Sequence, residues 1–347
     1  MRIPNLLTFL LLCICGAAFG QINSGAAACA GCHRAQSASQ PQTPMGRALT
    51  FPESNAMLKT HPKLTFRRGA YSYAVETRNG RSTYSVTDGK NTISLPVNWS
   101  FGAGVQAWIL NRDGKFFESL VSYYPASDSL DVTIGDESLT PHTVAEAVGR
   151  PLVSADLKDC LGCHATNSLL NGRLNLDSFQ PGVTCEHCHQ GAGNHVFDAI
   201  RGDFDSAPPN LSKLSTEDAS NFCGQCHRSW ETVVRNHWRG PINVRFQPYR
   251  LANSKCYDGA DPRISCLACH DPHQDVVRQA SSYDSKCLAC HTPLTQPVAT
   301  PVAAKSCPVS KSDCATCHMP KVKLPDENVT FTDHQIRIVK AGDPYPN

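Results

Sequence analysis

The sequence predicts an α+β chain, with an antiparallel β insert of about Leu64 to Ile134 set into a loop-rich region of short helices. Three observations carry this expectation. Between residues 64 and 134, apolar and polar residues alternate in short runs, and Asn79-Gly80 and Asp113-Gly114 stand between runs as hairpin signals. Elsewhere Gly, Pro, Asn and Asp interrupt the chain repeatedly, as at Ala207-Pro208-Pro209-Asn210 and from Pro293 to Pro308. Finally, 18 of the 347 residues are cysteine, so the 41% hydrophobic count overstates the aliphatic and aromatic material for a core. Net charge is +2 with no basic block, which argues against a nucleic-acid partner. Apolar residues are too frequent for a disordered chain.

Residues 1–20 read as a signal peptide. Met1-Arg2 is a short positive start, an apolar run from Leu6 to Ala18 follows, and Ala18 and Gly20 provide small residues before a cleavage at Gln21. The run is short for a bilayer span, and no second apolar stretch of spanning length occurs. The mature chain is expected to be exported to the periplasm or beyond the cell, without a membrane span. Removing Arg2 leaves a net charge of +1, and removing Cys13 and Cys15 leaves 16 cysteines.

Fourteen of those 16 belong to one pentapeptide. Cys-x-x-Cys-His occurs at Cys29/Cys32-His33, Cys160/Cys163-His164, Cys185/Cys188-His189, Cys223/Cys226-His227, Cys266/Cys269-His270, Cys287/Cys290-His291 and Cys314/Cys317-His318. This is the attachment sequence of c-type haem. Two thiols one helical turn apart can add to the two porphyrin vinyl groups, and the adjacent His reaches the iron. Zinc ribbons pair Cys-x-x-Cys units without a His after every second Cys. Thioredoxin-like motifs normally occur once per domain, and disulfide frameworks belong mostly to short chains. Seven copies point to seven covalent haem c groups, with His33, His164, His189, His227, His270, His291 and His318 as proximal ligands.

The organisation expected from this is a segment at 21–60 holding the first motif, the β insert at 61–140, and a hexahaem region at 141–347. In the insert, Tyr71, Tyr73 and Val75 alternate before Asn79-Gly80, and Tyr84 and Val86 after it; Ile93-Leu95-Val97, Trp108-Ile109-Leu110, Phe116-Phe117 and Leu130-Val132-Ile134 continue the series. Val144 to Asp159 reads as a short helix leading into the second motif. Beyond it each motif is expected on a short helix between loops, with packed porphyrins making up much of the core.

Seven histidines remain outside the motifs: His61, His142, His187, His195, His237, His273 and His334. A low-spin haem needs a second axial ligand, usually His or Met. His273, three residues after His270, can serve only a neighbouring haem; His195 follows a flexible Gly-rich loop; His334 can fold back onto the cluster. His61 and His237 read equally as surface side chains. His142, after Pro141, fits a helix start, and His187 lies between the two cysteines of the third motif. Met45, in Pro44-Met45-Gly46, is the thioether candidate. Cys256 and Cys307 lie outside every motif and are expected to pair as a disulfide.

Haem alters the charge balance, since a ferric haem with both propionates ionised carries about −1 and a ferrous one about −2. The mature +1 becomes about −6 oxidised and about −13 reduced, which favours redox partners presenting a positive patch.

Gly182-Val183-Thr184-Cys185-Glu186-His187-Cys188-His189, with the Gly-rich stretch after it and His195, resembles a segment of the cytochrome c family that includes the tetrahaem partner of hydroxylamine oxidoreductase. Cys266-Leu267-Ala268-Cys269-His270-Asp271-Pro272-His273 resembles doubled haem-motif segments of related cytochromes. Cys317-His318-Met319-Pro320-Lys321 with Phe331-Thr332-Asp333-His334 is similar to their C-terminal part. The resemblance runs from about Cys160 to His334 and leaves the β insert outside. It implies bis-His haems packed in stacked or perpendicular pairs, distal roles for His195, His273 and His334, and electron transfer, with other multihaem cytochromes among the partners. Pentahaem nitrite reductases are also similar, but many carry Cys-x-x-Cys-Lys, and here no Cys-x-x-Cys precedes a Lys. Three roles stay open at this level: an electron carrier, a reductase of a small nitrogen or sulfur oxyanion with one open haem, and a subunit of a conductive extracellular filament.

Overall fold

The structure, a computed structural model, describes residues 25–291, 307–324, 329–340 and 342–346; the expected signal peptide lies outside them. Alternating residues from Lys63 onward form an antiparallel meander: β2 (Lys63–Arg68), β3 (Tyr71–Arg78), β4 (Arg81–Thr87), β5 (Thr92–Phe101), β6 (Ala107–Arg112) and β7 (Lys115–Ser119). A short β1 (Leu49–Thr50) adds to β5, and β10 (Gly149–Leu152) adds to β7, closing the order β10-β7-β6-β5-β4-β3-β2. A separate hairpin pairs β8 (Val121–Tyr124) with β9 (Ser129–Val132). Both hairpin signals are turns. Asn79 and Gly80 sit at φ 51° and 75°, Asp113 and Gly114 at 51° and 79°, the left-handed pair that matches strand twist.

The alternation puts Tyr73, Val75, Tyr84, Val86, Leu95 and Val97 into one core with Trp108 and Leu110. A β-bulge between Val97 and Trp99 then inserts one residue against β6. An extra residue reverses which side chains face which side. Trp99 and Phe101 therefore join a second cluster with Leu49, Ile109 and Leu152, and this cluster packs on Leu157 and Leu161 of the helix Ser154–His164. The bulge is what couples the sheet to the second Cys-x-x-Cys-His motif.

The expected helix from Val144 to Asp159 is broken. A one-turn helix, Val144–Ala147, gives way to β10, and a new helix starts at Ser154. Gly149 has φ 138°, and a Cβ there would lie 2.0 Å from the Glu118 carbonyl oxygen, so the chain adopts the sheet edge instead. Pro151 also removes a helix donor.

Past Phe179 packing changes character. Buried apolar side chains in the described residues there are Val183, Ala192, Ala219, Val233, Val244 and Leu324. Phe197, Ile200, Phe204, Trp230 and Trp238 are exposed, Ile200 to 82%. Short helices joined by loops make up this region, so the molecule is α+β with a loop-rich helical part and an antiparallel sheet.

Candidate functional site

Each Cys-x-x-Cys-His copy lies on, or directly after, a short helix: Gly25–Cys29, Ser154–His164, Cys185–Cys188, Thr216–His227, Cys266–Cys269, Asp284–His291 and Cys314–His318. Helical winding is what puts the paired thiols on one side. In the first, third and fifth copies the histidine amide completes the turn, donating to the carbonyl of the first cysteine at 2.8, 2.9 and 2.9 Å. Ser215 and Ser265 cap the fourth and fifth helices, accepting from the amides of Asp218 and Ala268. The seventh helix is capped from its neighbour: Asp284 accepts from the amides of Cys314 (2.8 Å) and Asp313 (2.7 Å), which hold its carboxyl below the usual range.

Several motif histidines have one nitrogen committed. His164 Nδ1 is 2.9 Å from the Ala48 carbonyl oxygen, and its ring lies 4.9 Å from that of Phe101, the residue the bulge delivers. His318 Nδ1 is 2.9 Å from the Arg337 carbonyl oxygen. A backbone acceptor on Nδ1 fixes the tautomer and leaves Nε2 for a metal. Burial pulls His164, His189, His227 and His270 below the ordinary imidazole range, which favours the neutral, ligating form. Among the described residues, no three His, Cys, Asp or Glu side chains converge as a metal cage.

Two expected distal histidines face motif histidines. His273 lies opposite His189 with ring centres 6.2 Å apart and planes within 5°. His334 lies opposite His270 at 6.3 Å, the planes at 44°. Two imidazoles bound on opposite sides of one metal, with bonds of about 2.0 Å and ring centres about 1.1 Å behind each nitrogen, have centres about 6.2 Å apart. Both separations fit one iron between the rings. Each outer ring also has its Nδ1 occupied: His273 by Asp271 Oδ1 at 3.0 Å, and His334 by the Thr332 carbonyl oxygen at 3.0 Å. Burial brings His334 down to about 4.

The remaining candidates separate. His195 sits on the helix Ala192–Ala199, which packs on the first-motif helix, and its Nδ1 is buried without a hydrogen-bond partner. His187 is half-buried, its ring bonded to the Ala165 carbonyl. His142 is exposed just before the helix Val144–Ala147, its amide donating to Glu146 Oε2 at 2.8 Å. His237 is exposed on a left-handed backbone, φ 52°. Met45 is half-buried, and its carbonyl accepts from the amides of Val183 and Ala48.

The structure removes His61 from the distal set. Its Nε2 is 2.9 Å from Asp128 Oδ1 and its Nδ1 is 3.0 Å from the Met57 carbonyl oxygen, so neither nitrogen is left for iron. The ring closes the β insert against Tyr123. Cys256 and Cys307, expected as a disulfide, are separate thiols. Cys256 lies beside Cys287 and Cys290 of the sixth motif, whereas Cys307 faces the amides of Ser310 and Val309.

The motifs follow a spatial order different from their chain order. The first-motif helix packs on the third. The third joins the second through Thr166, whose Oγ1 donates to the Gly182 carbonyl at 3.0 Å and accepts from the Thr184 amide at 2.8 Å. Helices of the second and fourth motifs touch, with Cys163 Sγ 3.8 Å from the Gln225 carbonyl oxygen, and the fourth packs on the fifth. Tyr283, at the start of the sixth-motif helix, has its ring 5.6 Å from that of His270. The Asp284 cap joins the sixth motif to the seventh.

Sequence reasoning missed the groups that hold these rings: the Ala48 and Arg337 carbonyls, Phe101, and a buried ion pair between Arg250 and Asp333. No local signal marks a carbonyl acceptor or an ion pair between distant segments.

Comparison with known proteins accords with the site. The family described as cytochrome c554 and c-prime matches residues 137–190, which include the second and third motifs. No curated protein matches the chain. The crystal structure of the outer cell wall cytochrome OcwA matches with a TM-score of 0.50 and 14% identity, covering 90% of this chain and 79% of that one, a likeness of fold. The matched segment falls on the motif array, and the likeness to OcwA is one of fold.

Proposed function

We propose that the chain is an exported heptahaem c-type cytochrome that passes single electrons between redox partners through closely packed, mostly bis-His centres. The observation that carries this reading is the pair of facing imidazoles, His189/His273 and His270/His334, each spaced for one iron. Bound haem supplies a one-electron iron couple at each motif. The chain's own residues do the rest. Paired cysteines would anchor each group and motif histidines would bind its iron, while Ala48, Thr332, Arg337 and Asp271 occupy the Nδ1 of His164, His334, His318 and His273 and leave Nε2 for the metal.

The motif contacts, in which the third motif lies beside both the second and the fourth, support a connected network that runs from the first motif to the seventh. Cys32 and Cys317 are exposed there, as is Cys269 of the fifth motif. The exposed Phe197, Ile200, Trp230 and Trp238 are the surfaces that porphyrins would cover. His195 is assigned to the first motif, because its helix packs there and the third motif already has His273.

Seven equivalents of haem per chain and a low-spin ferric spectrum, with seven electrons taken up on reductive titration, would support this reading. A large high-spin ferric fraction with rapid cyanide or carbon monoxide binding would refute the pure carrier. One observation favours the alternative of a periplasmic reductase with one open haem. With His61 bonded on both nitrogens, six spare histidines serve seven motifs, so one iron depends on Met45 or stays open. Turnover of nitrite or another small oxyanion by the purified protein decides between the two.

A further inference from the structure

The C-terminal segment carries a buried charged lock that no redox role by itself demands. Arg250, on the helix Gln247–Ala252, is 1% exposed, and Asp333 is fully buried. The guanidinium forks onto the carboxylate, Nε to Oδ1 at 2.8 Å and Nη2 to Oδ2 at 2.9 Å. Its remaining donors reach Gln335 Oε1 at 2.6 Å and the Pro346 carbonyl at 3.0 Å. Arg337 Nη1 donates to the same Oδ2 of this carboxylate. Two guanidiniums thus share one buried carboxylate, an arrangement that tolerates burial only when every partner is present.

The residues between these charges are the ones that hold two rings. His334 follows Asp333 directly and faces His270, while the Arg337 carbonyl accepts from His318 Nδ1. Ser254, near the Arg250 helix, donates to the His334 carbonyl at 3.3 Å and accepts from the Ile336 amide at 2.8 Å. Asp333 also receives the Gln335 amide at 3.0 Å. Backbone and side chain of 333–337 are therefore pinned at each step.

We infer that Arg250 and Asp333 are positioning residues for two haems at once, seating His334 as the distal ligand of the fifth and orienting His318 as the proximal ligand of the seventh. The inference rests on the bis-His reading of His270 and His334. A hydrogen-bonded outer partner normally tunes one metal ligand; here one lock serves two.

The test uses full-length holo-protein and electron paramagnetic resonance, with haem content as the check on assembly. Asp333→Asn should convert one low-spin ferric centre to high-spin, shift the g-values of a second, and admit one carbon monoxide per chain on reduction. Asp333→Glu, which restores the charge, should recover most of the low-spin signal. His334→Ala is the reference and should open one centre. If His334→Ala opens a centre but Asp333→Asn keeps the wild-type spectrum, the positioning role is overturned while the ligand reading stands. If His334→Ala changes nothing, the ligand reading itself fails. Should Asp333→Asn not assemble, Arg250→Lys keeps the charge but loses the fork; a partial low-spin loss at one centre supports the lock, and a wild-type spectrum overturns it.

Discussion

His273→Ala is the most direct probe of the arrangement. Its ring stands 6.2 Å from that of His189, close to the spacing two trans imidazoles require. Alanine removes the ring and leaves an iron coordinated from one side, and Asp271 loses its partner at 3.0 Å. The low-spin signal of one centre should disappear and a high-spin signal of matching size should appear. Reduced protein should then bind one carbon monoxide per chain more than wild type. Asp271→Asn keeps the ring but weakens its outer anchor, a change that typically costs about 10- to 100-fold in metal affinity, so its open fraction should be smaller than that of the alanine variant. His61→Ala is the control: its ring serves Asp128 and the Met57 carbonyl, and the spectrum should not move. Electron paramagnetic resonance and a carbon monoxide titration read all three. An unaltered low-spin spectrum in His273→Ala would refute the pairing, and a change in His61→Ala would refute its exclusion.

Three further outcomes follow from the fold. Protein produced without haem attachment should keep the β signature of circular dichroism and lose most helical signal, because the sheet has its own core while residues beyond Phe179 bury few apolar side chains; retained helix would contradict a porphyrin-built core. Gly182→Ala should destabilise the protein by at least about 2 kcal/mol in denaturant unfolding, since Gly182 has φ 75° and a Cβ would stand 2.0 Å from the Gly46 carbonyl oxygen. Asp136 is pushed up to about 6, chiefly by burial and then by Glu118. A raised folded-state value means that protonation favours the fold, so this contribution is full below the ordinary range near pH 4 and fades as pH rises through about 6. Asp136→Asn should therefore gain in Tm over wild type at pH 7 relative to pH 4, and a difference independent of pH would count against the assignment.

The legible part of this protein is the local part. A Cys-x-x-Cys-His pentapeptide is one helical turn, so the short helices that carry the seven copies can be placed without knowing the rest of the fold. Asn79-Gly80 and Asp113-Gly114 are legible for the same reason: left-handed backbone at consecutive positions is a property of those residues. The helix expected through Val144 to Asp159 failed because Gly149 and Pro151 paired with a strand formed thirty residues earlier, and no window of sequence contains both.

The far side of each iron belongs to tertiary structure. His61, His273 and His334 are alike as residues, yet one is consumed by Asp128 and a helix carbonyl while two stand across from motif histidines. Sequence by itself determined where the seven Cys-x-x-Cys-His turns lie, and so which cysteines and histidines are proposed to attach and bind first, since those groups are neighbours along one turn. Only the fold decided which imidazole stands across from His189 and from His270, because His273 and His334 are brought there by packing and, for His334, by the buried charges of Arg250 and Asp333 beside it.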